Sequence, residues 1–347
     1  LTAPKTMSNP QIDLGTVYKG SPSGKVVKAK GGTRELQPDE VVIDVSWSGL
    51  CGTDLHYRQA DMVLGHEGVG KISQVGSMVK NVKVGDRVGW QYNHYGCNYC
   101  DACLDGYDVH CPESRMYGVA DLDIGGFGDR AVLNSKFVHV IPDEIPLKYA
   151  APLQCAGSTV YSAMENANVK AGQRIGLIGL GGLGHLAVQF LNKAGCDAVV
   201  FSATDSKKQQ ATELGAKEFV ATNNNPKLEG VEPIDHLLVT TSAQPDWDAY
   251  FGVLKPEGQI IPLTVSFGEM THPYMGLLIK QLNIHGTIAG RRAVHRRMLK
   301  FAAAKGVRPM IEVLPMNEEG INTAMERLAK GDVRYRFVLK SETNNAE

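Results

Sequence analysis

The spacing of apolar residues changes near the middle of the chain. In the first half, short apolar runs such as 41–45 and the strand-and-turn segment 83–88 are broken often by glycine and proline. That pattern is typical of an irregular barrel of short strands. From about Ser158, strand-like runs alternate with helical stretches of about ten residues. This alternation predicts a parallel sheet with helical crossovers.

The second half contains the most regular elements. Its predicted helices are Thr159–Ala167, Leu183–Ala194, Ser206–Leu214 and Ala293–Ala304. Its predicted strands are Arg174–Leu180, Ala198–Ser202, Glu218–Ala221, His236–Val239, Gln259–Leu263 and Arg334–Leu339. We interpret the last helix and the last strand as a return of the chain to its first domain.

The length of 347 residues exceeds one ordinary core and suits two domains. We predict an α/β protein in which a doubly wound nucleotide-binding domain, 157–288, is inserted into a β-rich domain. The β-rich domain then comprises 1–156, with a cysteine-rich lobe at 97–111, and the returning segment 289–347.

Composition excludes several classes of partner. The formal net charge is −1, so nothing indicates a strong attraction to nucleic acid or to an anionic membrane. No apolar run approaches the roughly 18 residues of a membrane-spanning helix. The first twenty residues lack the apolar core of a secretory signal. We therefore expect a cytoplasmic protein with no nucleic-acid or membrane partner.

Four of the seven cysteines fall within one short segment. Cys97, Cys100, Cys103 and Cys111 follow the spacing Cys-x2-Cys-x2-Cys-x7-Cys, with turn-forming residues between them. Structural zinc takes four tetrahedral ligands, and short Cys-x2-Cys steps wrap a chain around such an ion. Four incidental thiols and an iron–sulfur cluster are the alternatives. The spacing favours structural zinc.

A second set of soft donors is spread along the chain. Cys51, His66 and Cys155 together supply two thiols and one imidazole, the donor set of a catalytic zinc that keeps an open fourth position. Each of them alone is more typical of a core residue. Asp54 is a candidate acceptor that would orient a ligating imidazole, and Glu67 is a candidate transient ligand.

Two further side chains of this segment can move a proton. Thr53 offers a hydroxyl and His56 an imidazole, which suits transfer of a proton between a substrate hydroxyl and solvent.

A glycine-rich turn connects the predicted strand 174–180 to a predicted helix. Its candidate dinucleotide contacts are Gly179, Gly181, Gly182, Leu183 and Gly184. A lone GxGxxG is a weak signal, but the strand before it and the helix after it are the required context. The first glycine makes the tight turn, the second admits the pyrophosphate and the last allows close packing.

The second strand of this predicted unit ends without an acidic residue. Enzymes that use NAD place Asp or Glu there to bind the ribose 2′-hydroxyl. Here Ser202 ends the strand, Thr204 and Lys207 follow, and Asp205 is expected on the turn. A hydroxyl and an ammonium suit a 2′-phosphate, so the segment favours NADP(H) over NAD(H). Solvated charges at a helix start are the alternative for Lys207.

Taken in order, these motifs resemble those of zinc-dependent alcohol dehydrogenases of the medium-chain dehydrogenase/reductase superfamily. The resemblance extends from about Val41 to Leu339 and is strongest to the cinnamyl-alcohol-dehydrogenase-like and microbial branches. It implies a GroES-like catalytic domain and a Rossmann coenzyme domain. It also implies a catalytic zinc, a structural zinc, the Thr53–His56 proton relay and Glu67 as alternate zinc ligand.

The resemblance further implies a function. We expect hydride transfer between NADP(H) and a primary alcohol or aldehyde, two zinc ions per chain, and a homodimer or, second, a tetramer. A polyol dehydrogenase, a reductase of iminium or conjugated carbonyl groups on the same scaffold, and a non-catalytic zinc-stabilised binding protein are the alternatives. Gly52 and the short segment 57–64 depart from the family pattern, so substrate specificity does not carry over. Trp90, Tyr92 and Tyr95 are predicted either to line an aromatic cleft or to pack in the core.

Overall fold

The computed structural model describes residues 9–344. Within that range the chain forms two compact units. Unit 1 comprises residues 9–155 and 311–344, and unit 2 comprises residues 156–310. No helix among the described residues has the length and apolar character needed to cross a bilayer.

The strands are short, apart from three of nine residues or more. They are β1 Gln11–Asp13, β2 Thr16–Lys19, β3 Val27–Lys30, β4 Thr33–Glu35, β5 Glu40–Leu50, β6 Glu67–Val75, β7 Arg87–Trp90, β8 Asn93–Tyr95, β9 Arg115–Met116, β10 Arg130–Asn134, β11 Val138–Val140, β12 Arg174–Ile178, β13 Asp197–Ser202, β14 Glu218–Ala221, β15 Ile234–Val239, β16 Leu254–Pro262, β17 Asn283–Ile284, β18 Ile311–Pro315 and β19 Arg336–Lys340. The helices are α1 Gly52–Tyr57, α2 Asp101–Leu104, α3 Leu147–Pro152, α4 Ser158–Asn166, α5 Gly184–Lys193, α6 Lys208–Glu213, α7 Trp247–Val253, α8 Tyr274–Lys280, α9 Arg292–Lys305 and α10 Glu318–Ala329.

Unit 1 is built around strand β5. The strand continues well beyond the predicted 41–45, because β6 pairs along one edge while β10 and β19 share the other. Paired on both sides, β5 buries almost all of its side chains. Its sheet has the order β11-β7-β6-β5-β19-β18, with β10 beside β5. Segment 83–86 is a turn, closed by the Lys83 N–H on the Asp86 carboxylate, and the strand begins only at Arg87.

Unit 2 contains one parallel sheet of six strands. Its order is β14-β13-β12-β15-β16-β17, with every pair parallel. The first strand in sequence therefore lies in the middle and the order reverses there, which is the doubly wound arrangement that binds dinucleotides at the switch point. The predicted fold class is confirmed, and each predicted helix and strand of this unit is present within a few residues.

The return to unit 1 occurs later than residue 289. Helix α9 belongs to unit 2, which continues to Met310. The helix packs against α4, where the Tyr161 ring contacts Phe301 at 5.5 Å and Arg297 binds Glu165 at 2.8 Å. Sequence spacing alone does not reveal which unit buries a helix, so the predicted boundary was too early.

Candidate metal centre and cofactor loop

Strand pairing brings Cys51 and His66 together. In the antiparallel ladder of β5 and β6, Gly49 lies opposite Glu67, so the residues just beyond the ladder are neighbours. The Cys51 Sγ lies 3.3 Å from His66 Nε2, and both side chains are buried. Two donors that are 15 positions apart in sequence therefore face the same point.

Cys155 reaches this point from a distorted helical turn. It lies in a π-helical segment, Leu153–Gly157, between α3 and α4. Single π-turns of this kind occur often at functional sites. Ligand atoms of Cys51, His66, Glu67 and Cys155 all lie within 4.8 Å of one another. Two thiols and an imidazole at this separation fit zinc with an open fourth position.

Asp54 fixes the orientation of the imidazole. Its Oδ1 lies 3.0 Å from His66 Nδ1, and its Oδ2 accepts the Cys51 N–H at 2.9 Å. The Tyr117 hydroxyl donates to the same Oδ1 at 2.9 Å and accepts the Gly65 N–H at 2.9 Å. With Nδ1 occupied by the carboxylate, Nε2 faces the ligand point.

Glu67 is a completely buried carboxylate with one occupied oxygen. Its Oε1 binds the guanidinium of Arg336, a buried residue of β19. Its Oε2 has no hydrogen-bond partner. A Cβ at position 49 would lie 1.8 Å from that oxygen, so only glycine fits beside it. A carboxylate oxygen of Glu67 belongs to the set within 4.8 Å, so this side chain is placed to act as an alternate ligand.

The charges of this cluster alter one another. A hydrogen bond from Cys155, together with the His66 and Arg336 charges, lowers the pKa of Cys51, whereas that hydrogen bond and burial raise the pKa of Cys155. Burial lowers the pKa of His66, but the Cys51 and Asp54 charges outweigh it and raise the pKa. Burial raises the pKa of Glu67 to about 7, against the Arg336 charge. A divalent cation would replace the protons that these groups share.

The four remaining clustered cysteines also converge. Their sulfur atoms lie within 4.8 Å of one another, and Cys97 Sγ is 4.0 Å from Cys103 Sγ. Backbone N–H groups of Cys100 and Cys97 donate to Cys97 Sγ at 3.3 Å and Cys111 Sγ at 3.4 Å, respectively. Although burial opposes it, the N–H groups of Tyr99 and Cys100 lower the pKa of Cys97 to about 7. These N–H groups favour the thiolate of Cys97, and a tetrahedral metal site requires thiolate ligands.

The predicted relay residues share one helix. Thr53 and His56 lie three positions apart on α1, which places them on the same side of the helix. Thr53 is half-buried and His56 is exposed. Their order therefore leads from the buried metal centre toward solvent.

The glycine turn has the predicted context in unit 2. Strand β12 ends at Ile178, Gly179 follows with a φ of +93°, and α5 begins at Gly184 after Gly182 and Leu183. A Cβ at position 184 would lie 2.1 Å from the Gly179 carbonyl oxygen, whereas a Cβ at position 181 would meet nothing within 4 Å. Leu183 gives the helix no side-chain cap, so its N-terminal N–H groups suit a phosphate.

Lys207 lies against this turn. It ends a single 3-10 turn after β13, and its ammonium donates to the Leu180 carbonyl at 2.8 Å. Ser202 ends β13, and the exposed Thr204 hydroxyl lies 2.9 Å from that of Ser206. Asp205 instead accepts the Asn224 side-chain amide. The end of β13 therefore carries the hydroxyl groups of Ser202 and Thr204 and the ammonium of Lys207.

Comparison with known proteins identifies both domains of the chain. Residues 37–143 match the alcohol dehydrogenase GroES-like domain, and residues 182–304 match the zinc-binding dehydrogenase domain. A probable formaldehyde dehydrogenase of Bacillus subtilis is 35% identical over 324 residues, covering 89% of this chain and 92% of the relative. The chain is a zinc-dependent alcohol dehydrogenase of the medium-chain superfamily.

Two further proteins place this alcohol dehydrogenase within its superfamily. An NADP-dependent alcohol dehydrogenase of Mycolicibacterium smegmatis is 37% identical, with 88% of this chain and 91% of the relative covered. A cinnamyl alcohol dehydrogenase structure from Sorghum bicolor superposes with a TM-score of 0.87 at 33% identity, covering 95% of this chain and 98% of that one. The GroES-like and Rossmann-like domains, zinc binding and a nicotinamide cofactor follow from this membership.

Two residues of this dehydrogenase's candidate metal centre, Arg336 and Tyr117, were not predicted from the sequence. The sequence pattern could have indicated Arg336, because a charged residue inside an apolar final strand needs a buried partner. No sequence pattern indicates Tyr117. Of the three aromatic residues before the lobe, Trp90 is buried in the core, Tyr95 stacks on Phe137, and Tyr92 lies edge-on to His66 at 6.0 Å.

Proposed function

We propose that this dehydrogenase transfers hydride between NADP(H) and a primary alcohol or the corresponding aldehyde, and that it holds two zinc ions per chain. The convergence of Cys51, His66 and Cys155 within 4.8 Å carries the proposal. In the oxidative direction, the alcohol carbon loses hydride and its hydroxyl loses a proton, which leaves the aldehyde. Reduction reverses both transfers.

The catalytic zinc would be held by Cys51, His66 and Cys155, with Glu67 as alternate ligand. When bound, zinc supplies a Lewis acid for the substrate oxygen, and the nicotinamide supplies the hydride acceptor or donor. Asp54 keeps His66 in the tautomer that presents Nε2. The other zinc would be structural, held by Cys97, Cys100, Cys103 and Cys111.

Thr53 and His56 would carry the proton. The half-buried Thr53 hydroxyl accepts it from the substrate hydroxyl, and the exposed His56 imidazole passes it to solvent. Reduction uses the same path in the opposite direction.

Selection of NADP(H) would rest on the end of β13. The 2′-phosphate needs hydrogen-bond donors and a positive charge, which Ser202, Thr204 and Lys207 offer. The Lys207 contact to Leu180 supports this assignment, because it holds the ammonium beside the turn that receives the pyrophosphate. Asp205, bonded to Asn224, does not occupy the position of the acidic residue that binds a free 2′-hydroxyl.

A cofactor-oxidation assay tests the reaction. Absorbance at the reduced-nicotinamide band is followed with NADPH or NADH against aliphatic aldehydes, aromatic aldehydes and a ketone. We expect turnover of aldehydes with kcat/KM for NADPH at least tenfold above that for NADH. Equal use of NADH would contradict the cofactor assignment, and turnover of only the ketone would contradict the primary-alcohol assignment.

We also propose a homodimer. Unit 2 exposes a row of apolar side chains on α8 and around the edge strand β17: Tyr274, Met275, Leu278, Ile279, Ile284 and Ile288. Exposed apolar patches of this kind mark protein contacts. Light scattering coupled to size-exclusion chromatography should give a molar mass twice that of the chain. A monomer at micromolar concentration would contradict the proposal.

A further inference from the structure

The metal ligand His66 is fixed from two directions by one buried tyrosine. The Tyr117 hydroxyl donates to Asp54 Oδ1 at 2.9 Å, and the same carboxylate oxygen lies 3.0 Å from His66 Nδ1. The same hydroxyl accepts the N–H of Gly65, the residue before His66, at 2.9 Å. One oxygen atom therefore contacts both the backbone that leads into His66 and the carboxylate that orients its ring.

The ring of Tyr117 completes this support. It lies 4.9 Å from the His66 ring with a 37° interplanar angle, and Tyr57 and Tyr92 pack edge-on against it. The side chain is almost wholly buried. Water therefore has little access to replace a lost hydroxyl, and its two partners would lose a hydrogen bond inside the protein.

The backbone at Gly65 explains why an additional fixed point is useful. Gly65 has a φ of +89°, and a Cβ there would lie 2.4 Å from the Phe127 ring. The chain thus enters His66 through a turn that glycine alone adopts easily. Glycine allows the turn but does not restrict it, whereas the hydrogen bond from Gly65 N–H to Tyr117 does.

We propose that Tyr117 is a positioning residue of the metal centre, which acts through Asp54 and Gly65 to hold His66 Nε2 toward the ion. This proposal rests on the metal ligation proposed above. Tyr117 itself does not ligate the ion. Loss of a group that orients a ligating histidine weakens metal binding by about 10- to 100-fold. We expect the lower part of this range, because Tyr117 acts one step further from the ion.

Zinc release tests the proposal without an activity measurement. Wild-type protein and Tyr117→Phe are loaded with zinc and mixed with excess chelating dye. We expect two release phases of one zinc each, and in Tyr117→Phe about tenfold faster release in one phase only. The four-cysteine phase is the internal control. Tyr18→Phe is the matched variant, since it removes the hydroxyl of another buried tyrosine of unit 1, in a strand outside the metal centre, and should leave both phases unchanged.

Two further measurements separate positioning from general packing. With cobalt in place of zinc, the ligand-field bands of Tyr117→Phe should shift, because they report the geometry around the ion. In an Asp54→Asn background, Tyr117→Phe should add less than threefold to the release rate, since its main route to His66 is already altered.

The outcomes distinguish this proposal from the one on which it rests. Wild-type protein that releases a single zinc would contradict the metal ligation itself. Two wild-type phases with an unchanged release rate and unchanged cobalt bands in Tyr117→Phe would overturn only the role of Tyr117. If the variant does not fold, 4-aminophenylalanine at position 117 retains the ring with weaker hydrogen bonding. Intermediate release would then support the role, and wild-type release would overturn it.

Discussion

Alanine at Gly184 and alanine at Gly181, two glycines of the turn after β12, should have different effects: the first should lower stability and the second should weaken NADPH binding. A Cβ at Gly184 would lie 2.1 Å from the Gly179 carbonyl oxygen, whereas Cβ atoms in proteins essentially never lie closer than 3.0 Å to another heavy atom. The backbone must therefore move by about 0.9 Å. Overpacking of this kind costs about 1–3 kcal/mol. For a unit of this size that lowers Tm by about 2–10 °C. A Cβ at Gly181 meets no protein atom within 4 Å, so Gly181→Ala should leave Tm within about 2 °C.

Cofactor binding should show the complementary pattern. We propose that the pyrophosphate approaches the backbone through the open space at Gly181. Loss of one charge-assisted hydrogen bond costs about 1.5–3 kcal/mol, which is about 10- to 100-fold in the NADPH Kd. Fluorescence titration with NADPH gives the Kd of each variant, and thermal unfolding gives the Tm of each variant. Wild-type NADPH affinity in Gly181→Ala would refute the assignment of this turn, and an unchanged Tm in Gly184→Ala would refute the packing argument.

Three other predictions address charge and proton movement. Lys207→Ala should lower kcat/KM about 10- to 100-fold with NADPH and less than threefold with NADH. The control is Lys208→Ala, which changes an exposed lysine beside it and should leave both values unchanged. Equal losses with both cofactors would contradict a 2′-phosphate contact. His56→Ala should slow turnover at least tenfold at pH 7, with partial recovery at higher pH, where hydroxide takes the proton; an unchanged pH–rate profile would remove His56 from the relay. Burial lowers the pKa of His295 from 6.5 to about 3, so the unfolded chain binds a proton that the folded chain excludes. Stability should be unaffected above pH 6.5 and should fall by about 2 kcal/mol at pH 5. Urea unfolding of His295→Gln should show a smaller acid loss, and the same loss in both proteins would contradict this.

The sequence was most informative where spacing alone determines the chemistry. Four cysteines within 15 positions must lie near one another in space. The glycine turn lies between a strand and a helix that the spacing of apolar residues predicts. The meeting of Cys51, His66 and Cys155 was a weaker inference from residues alone. It depends on a β5–β6 register and on a π-helical turn that no local pattern reveals.

Long-range contacts account for what the sequence did not predict. Tyr117 reaches Asp54 across 63 positions and Arg336 reaches Glu67 across 269, so neither contact leaves a local pattern. The contact of Lys207 with Leu180 also joins two separate loops. The unit boundary was misplaced for the same reason, because the packing of α9 on α4 joins segments that are more than a hundred positions apart.

Zinc content tests the central claim, that Cys51, His66 and Cys155 bind one ion. Elemental analysis of wild-type protein should give two zinc atoms per chain. Cys155→Ala should give one, and the double variant with Cys51→Ala should also give one, because both thiols serve the same ion. Cys196→Ala, a buried cysteine outside both clusters, should retain two. Two zinc atoms in Cys155→Ala, or none in the double variant, would contradict a shared ion.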